Sequence, residues 1–599
     1  MDQFVSMRNL QFLLYEVFQV EDFCRHPYFE DHGREVFDLT LDTALKIGQD
    51  LLRPALREMD LNPPVFTQGE VKVHPMVRTF MKEAGEGGWI ASIFPYDQGG
   101  QQLPQLVASA GLFTFSAANY SGSVYYHLTT GAANLILSFG SAELKERYVP
   151  RMLSGQWQGT MALTEPQAGS SLSDITTMAF PTEQDYYQIR GQKIFISAGD
   201  HDGVDNVVHL MLAKIKGAPA GAKGISLFVV PKKRIEGQEL AFNDLQVAGV
   251  YHKLGYRGAP ITQLSMGENN DCRGYLVGQP HQGLSYMFQM MNEARINVGI
   301  GAAGIASAAY YTSLEYARER LQGRSVAAKD PTAPQIPIID HADVKRMLLF
   351  QRAIIEGSLS LLMQCSHYVD QSKITEGEEK ERVELLLDLL TPVAKTYPSE
   401  KGILSVSQGL QCLGGYGYCD EFLLELFYRD ARIHPIHEGT TGIQGVDLLG
   451  RKVIMKEGKA FGLFVEEVQK TIQRAGSFPA LGSYVRILSD ALESLRKITA
   501  YLAALGSEGK REIFLADSTL YLELFGIIAV GWQWLLQAIS VQKALASDLS
   551  QLERNFYQGK LYTFKFFYHY EMPNIQGLLH RLKESDGLTV SMEKDFFVD

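Results

Sequence analysis

The sequence predicts a mainly α-helical protein with a small β domain in its first half. Apolar residues at helical spacing dominate on both sides of a window from about 160 to 280. Inside that window the apolar runs become short, and Gly, Pro, Asn and Asp recur between them. No internal repeat or low-complexity segment disturbs the order helical, β, helical, helical.

The elements follow in chain order. Phe37 to Met59 carries apolar residues at helical spacing, and Asn62-Pro63-Pro64 stops it, because proline cannot continue the hydrogen-bond ladder. Gly85, Gly87 and Gly88, then Gly99 and Gly100, punctuate the next segments. Leu112 to Leu137, rich in Ala, Ser and Tyr, suits a close-packed helix. Gly159 to Thr164, Tyr186 to Ser197, Val207 to Ala213, Ile225 to Val230 and Thr262 to Met266 read as strands of an antiparallel domain. Helical period returns at Gln282 and runs to about Gly458, broken at Asp330-Pro331-Thr332-Ala333-Pro334. Phe464 to Ile472, Ser483 to Leu505, Ile513 to Leu545 and Leu549 to Tyr568 read as four further helices. The linker Ala475-Gly476-Ser477-Phe478-Pro479 follows the first of them. The expected domains are therefore 1–159, 160–280, 281–458 and 464–599.

At 599 residues the chain has room for several cores. With 46% hydrophobic residues, 21% charged residues and a net charge of −12, it does not look like a nucleic-acid binder. Five scattered cysteines without metal-ligand spacing read as thiols in a reducing cytoplasm, and no metal is expected. The N-terminus has an early acidic residue and no uninterrupted apolar core, so no signal peptide is expected. The most apolar window, Leu524 to Ile539, is interrupted by Gln533 and Gln537. It falls short of the roughly 20 apolar residues of a membrane span, which makes it a buried helix. Phe597-Val598-Asp599 is not a peroxisomal address, and the expected location is the cytoplasm.

Three stretches carry chemistry. In His434-Pro435-Ile436-His437-Glu438-Gly439-Thr440-Thr441 a carboxylate sits on a turn that Thr440 or Thr441 can cap into a helix. A carboxylate so placed can project into a cavity and work as a base near pH 7, although a Glu that merely suits a helix dipole has the same pattern. Gly299-Ile300-Gly301-Ala302-Ala303-Gly304 matches a dinucleotide-binding pattern. Helical spacing on both sides of it, however, points to small residues that let another helix approach. In Met161 to Ser171, a strand ends at Thr164 and gives way to Pro166, Gly169, Ser170 and Ser171. Such a loop could hydrogen-bond a heteroaromatic edge and a phosphate, or could be an ordinary turn.

Taken together, the motifs are more specific. Leu163-Thr164-Glu165-Pro166 with Ala168-Gly169-Ser170, Arg190 to Ser197, Arg320, Gln411 to Gly417 and His437-Glu438-Gly439-Thr440 occur in one order. Over residues 40 to 455 the chain resembles the flavin-dependent acyl-CoA dehydrogenases. Leu10 to Val17 and the C-terminal helices look like the long bacterial branch that includes 3-methylmercaptopropionyl-CoA dehydrogenase. The resemblance implies that family's fold: a helical N-domain, a β-barrel-like middle domain and a four-helix bundle, with an extra C-terminal helical domain.

The resemblance also implies FAD and a reaction. Glu438 would remove the α-proton of an acyl-CoA while the β-hydrogen leaves as hydride, giving a trans-2-enoyl-CoA. Leu163, Thr164, Gly169, Ser170, Phe195, Ser197 and Thr440 would meet the flavin. Arg320, Gln411, Gly414 and Gly415 would clasp its ADP half from a neighbouring subunit. Ser170, Arg295 and Gly439 would border the acyl-CoA, and electrons would pass to an electron-transfer flavoprotein. An acyl-CoA oxidase using oxygen and a non-catalytic acyl-CoA-binding member of the fold are the alternatives.

Departures from the family pattern are few. Phe195 stands where many relatives carry Trp, Ser197 where many carry Thr, and His437 where Tyr is usual. His437 is read as packing in preference to titrating with the base. Ala294 occupies the place from which some relatives supply the base, and Glu293 lies about 100° further round a helix. Leu488, Leu492, Leu495 and Ile498 form an apolar helical face that must be covered. Placed on the helical core, the added C-terminal domain would block the second contact of a tetramer, so a homodimer is expected.

Overall fold

The computed structural model describes residues 3–327, 330, 332–437 and 439–598, with the side chain of Gln289 excepted. It divides into two compact units: Asp31–Ala294, and Met1–Glu30 together with Arg295–Asp599.

The Asp31–Ala294 unit starts with helices. Arg34–Ile47 continues through a π-turn, Gly48–Leu52, into Arg53–Leu61, and Asn62 ends the run ahead of the two prolines. The long helix Gln105–Phe139 breaks its own geometry at Asn119, at φ −163° and ψ 99°. The Asn119 side chain fastens the kink, donating to Leu52 O of the π-turn at 3.1 Å and accepting from Gly122 N of its own helix at 2.9 Å.

Twelve strands follow or precede it: β1 Val65–Thr67, β2 Glu70–Lys72, β3 Trp157–Ala162, β4 Met178–Pro181, β5 Tyr187–Ser197, β6 Asn206–Ile215, β7 Ile225–Pro231, β8 Lys233–Glu236, β9 Glu239–Phe242, β10 Leu245–Val250, β11 Ile261–Met266 and β12 Arg273–Leu276. The main sheet runs β10-β11-β5-β12-β7-β6-β3, with β4 paired to β5 and β6. Its apolar interior includes Ala162, Ile189, Met211, Phe228, Val230 and Leu264.

The sheet differs from the antiparallel domain expected above, because β3 and β4 each pair parallel to β6. After β3 the chain makes a long loop before the β4–β5 hairpin, so β6 returns alongside β3 in the same direction. The β1–β2 hairpin was also unexpected. Its strands are too short to show a period, and its turn, Gln68–Gly69 with φ 52° and 81°, lacks the usual Asn or Asp.

In the other unit, helices Gly283–Glu319 (from Arg295 onward), Ala342–Ile374 and Gly377–Leu413 form the core. Gly299 lies inside the first, which rules out a phosphate-binding turn. A Cβ there would stand 2.2 Å from Ala394 O, so the glycine permits a close helix approach. The C-terminal helices Met455–Ala475, Ser518–Leu545 and Gln551–Phe566 pack on this core within the same chain, and Gly482–Ser507 packs on the first two of them. Trp534 Nε1 donates to Ala353 O at 3.1 Å, and Lys560 pairs with Glu356 at 2.9 Å, both lysine and glutamate being buried. The expected helix Ile513 to Leu545 is divided at Asp517. Among the described residues Ser518–Leu545 alone is long and apolar enough to cross a membrane, and 94% of its apolar window is buried inside the protein.

Candidate active site

One group of candidate site residues, in the Asp31–Ala294 unit, grows from the end of β3. Glu165, with its side chain 1% exposed, collects a full set of donors. Thr176 N donates at 2.6 Å, Thr177 N at 3.1 Å, the Thr176 hydroxyl at 3.0 Å, Gln167 Nε2 at 2.9 Å and Lys193 Nζ at 2.8 Å. Lys193, itself fully buried, also donates to Leu163 O at 2.9 Å, and Ile194 N donates to Thr164 O at 2.9 Å. These bonds tie the 163–177 loop to β5. Burial alone would raise the Glu165 carboxyl, but the Lys193 charge and the donors outweigh it and hold it at about 2. Burial pulls the Lys193 ammonium down to about 8 against the attraction of Glu165.

Phe195 interrupts β5 at φ 57°, a left-handed conformation rare for a bulky residue. Pairing with β11 shifts register at this point, between Thr262 and Leu264. The bulge turns the Phe195 ring outward, leaving it 57% exposed and packed against Tyr251 at 4.7 Å. Thr164 and Ser197 are half-buried, while Gly169 and Ser170 are exposed.

A second group, in the other unit, lies at the start of helix Thr441–Asp447. Thr440 caps it, its side chain accepting from Ile443 N at 3.5 Å, while Thr441 N donates to Pro435 O at 3.1 Å. Gly439 takes φ 85°, and its carbonyl accepts from Lys395 Nζ at 3.0 Å and Gln444 Nε2 at 3.3 Å. The Thr441 hydroxyl donates to Glu400. Arg295 is buried and pairs with Asp447 at 3.1 Å, and Asp447 also accepts from Arg451 Nε at 2.7 Å. The His437 ring packs edge-on against His434, with centroids 5.6 Å apart. Glu438 itself lies outside the described residues.

Arg320 is exposed just past the end of its helix, its carbonyl accepting from Ile338 N at 2.8 Å. Gln411, Gly414 and Gly415 are exposed where helix Gly377–Leu413 stops. Gly414 ends that helix at φ 59° and ψ −133°, a conformation suited to glycine alone.

Comparison with known proteins decides what these features belong to. Models of the acyl-CoA dehydrogenase N-terminal, middle and C-terminal domains match residues 39–156, 160–268 and 281–453. An acetyl-CoA dehydrogenase C-terminal-like model matches residues 464–593. A butyryl-CoA dehydrogenase of Syntrophomonas wolfei is 33% identical over 99% of both chains. The chain belongs to the acyl-CoA dehydrogenase family. Members of this family are oxidoreductases acting on CH–CH groups. The 3-methylmercaptopropionyl-CoA dehydrogenase of Ruegeria pomeroyi is 37% identical over 86% of this chain and 87% of its own. The fold matches the crystal structure of Caenorhabditis elegans ACDH-11 in complex with C11-CoA, with a TM-score of 0.76 at 20% identity over 98% of this chain and 94% of that one. It also matches an acyl-CoA dehydrogenase complexed with FAD from Bacillus anthracis, with a TM-score of 0.74 at 21% identity over 98% and 93% of the two chains.

Within the enzyme, Leu163, Thr164, Gly169 and Ser170 share one loop, bonded to the strand that carries Phe195 and Ser197. Gly439 and Thr440 share one turn, and Arg295 braces the far end of the helix they start. Glu293, in the other unit, accepts from Asn134 Nδ2 with both carboxylate oxygens, at 3.1 and 3.0 Å. Reading the sequence assigned no role to Lys193, Lys395 or Glu400. Lys193 shares strand parity with buried Ile189, and Lys395 stands at i+4 from buried Thr391 and i−4 from buried Ser399. A lysine in line with buried positions is the signal available for such a role.

Proposed function

We propose that the enzyme converts an acyl-CoA thioester to a trans-2-enoyl-CoA, using FAD and passing electrons to an electron-transfer flavoprotein. Full-length similarity to butyryl-CoA dehydrogenase, 33% over 99% of the chain, carries this reading. The residues fit a flat ring cofactor. Phe195 offers an outward aromatic face, and the Thr164 and Ser197 side chains make no hydrogen bond to the described residues, leaving both hydroxyls to meet a ring edge. Bound FAD supplies the redox capacity, accepting the β-hydrogen with its electron pair.

The chain's own residues do the rest. Glu438 removes the α-proton, and its backbone amide holds the thioester oxygen as negative charge develops there. Leu163 and Thr164 would orient the ring edge, Gly169 and Ser170 would serve the phosphates and the pantetheine, and Ser197 would serve the reactive side of the ring. Thr440 contacts the cofactor, and Gly439 borders the acyl-CoA. Arg295 borders the channel with its guanidinium held by Asp447. Arg320, Gln411, Gly414 and Gly415, all exposed, serve the ADP half in a homodimer. The four-part division at 1–159, 160–280, 281–458 and 464–599 and a cytoplasmic location belong to the same reading.

The test is an anaerobic titration of the FAD-loaded enzyme with straight and branched acyl-CoAs. Bleaching of the flavin by at least one member, with the enoyl-CoA as product, is expected. A flavin that no acyl-CoA bleaches overturns the reading. Light scattering should give about twice 66.8 kDa.

A further inference from the structure

We propose that Lys395 is a positioning residue for the dehydrogenation, fixing the peptide next to Glu438 and setting a positive charge behind the turn. The inference rests on the function proposed above. Lys395 lies in helix Gly377–Leu413 and is 0% exposed. Removing an ammonium from water is costly, so a lysine this deep is retained only where its charge and donors are used. Its Nζ lies 3.0 Å from Gly439 O, which Gln444 Nε2 also approaches at 3.3 Å.

The geometry around this bond favours fixing a turn over filling space. Gly439 holds φ 85°, a conformation that leaves its carbonyl outside any helical ladder and in need of side-chain donors. Glu400, five residues further along the same helix, accepts from the Thr441 hydroxyl and so pins the other side of the turn. Gly299 lets a neighbouring helix approach the Ala394 carbonyl, which seats the backbone next to Lys395. The carboxylate at position 438 is thus followed by a peptide whose direction helix Gly377–Leu413 sets. An error on the order of 1 Å in such a group costs about 100-fold in rate.

The buried cation also acts through its field. Burial pushes the His434 imidazole down to about 3, and the Lys395 charge adds to that shift. Other ionisable groups described on the elements packed here are His437 on the turn, Glu400 on the helix behind it, Asp447 with Arg295 and Arg451 beyond it, Lys452 with Asp388, and Lys401 with Glu523 of helix Ser518–Leu545. Lys395 is the one among them bonded to the Gly439 peptide. Its charge favours the anionic form of the base before proton transfer, and favours the negative charge that moves onto the thioester oxygen.

Lys395→Met in the FAD-loaded enzyme tests this. Flavin reduction should slow by about 10- to 100-fold, while FAD content and the Kd for acyl-CoA stay near wild type. The acid limb of the rate–pH profile should move to higher pH, because the lost cation no longer favours the carboxylate. Lys395→Gln keeps a donor for Gly439 and loses the charge. It should recover part of the rate yet show the same displaced limb. A wild-type rate and limb in Lys395→Met overturns the proposal. If that variant does not fold, an undisplaced limb in Lys395→Gln overturns it. A wild-type flavin that no acyl-CoA bleaches defeats the underlying function instead.

Discussion

Lys193 and Lys395 are both fully buried, and each donates to a backbone carbonyl of a turn that carries proposed site residues, Leu163 in one case and Gly439 in the other. They differ in where the support comes from. Lys193 stands on the strand next to its loop, and Glu165 within that loop supplies the countercharge. Lys395 reaches its turn from a helix more than forty positions earlier in the chain, with Glu400 and the Gly299 approach supporting the same place. Glu165, moreover, has its oxygens filled by amides, hydroxyls and an ammonium. A carboxylate held at about 2 by such donors cannot take a proton near neutrality. It is a fastener, whereas the proposed base must keep a lone pair for substrate.

The largest effect should come from breaking the local fastening. Lys193→Met leaves the Glu165 carboxylate buried without its cation and should cost about 3–5 kcal/mol. Urea denaturation and flavin content measure it, and near-wild-type stability would mean that the amide donors hold the loop unaided. The same carboxylate sets an acid limit. Its folded value of about 2 lies below the ordinary 4.5, so its contribution is full above about pH 4.5 and is lost as pH falls towards 2. Stability measured between pH 6 and pH 3 should fall across this window, and Glu165→Gln should start lower and flatten that dependence.

The distant support should be weaker but felt in turnover. Gly299→Ala places a Cβ 2.2 Å from Ala394 O, and the helices must part. A cost of about 1–3 kcal/mol is expected, with slower flavin reduction, because the helix that moves carries Lys395. Lost stability with unchanged turnover would separate helix packing from the turn. Smallest of all should be His437→Tyr. The imidazole packs edge-on against buried His434, so the acid limb of the rate profile should stay in place. A displaced limb would make His437 a titrating neighbour of the base.

The same contrast explains what could be read from the sequence. The helices, the β window, the buried apolar helix near the C-terminus and the helical setting of Gly299 follow from periods of 3.6 and 2, which single stretches reveal. The Thr440 cap was legible for the same reason, since a cap is a local pattern. The parallel pairing of β3 with β6 was not, because strand direction depends on the route of the 163–177 loop. Glu165 stood in a quoted motif, but its partners lie at 176, 177 and 193. Lys395 and Glu400 carry no motif, and their roles come from the close approach of distant segments.

The central claim is that Glu438 is the base of an acyl-CoA dehydrogenation. Stopped-flow flavin reduction of Glu438→Gln by the best acyl-CoA from the panel tests it most directly. The variant should keep FAD, bind the acyl-CoA and lose a factor on the order of 10²–10⁴ or more in reduction rate, since an amide cannot accept the α-proton. Reduction at the wild-type rate would contradict the claim and turn attention to Glu293.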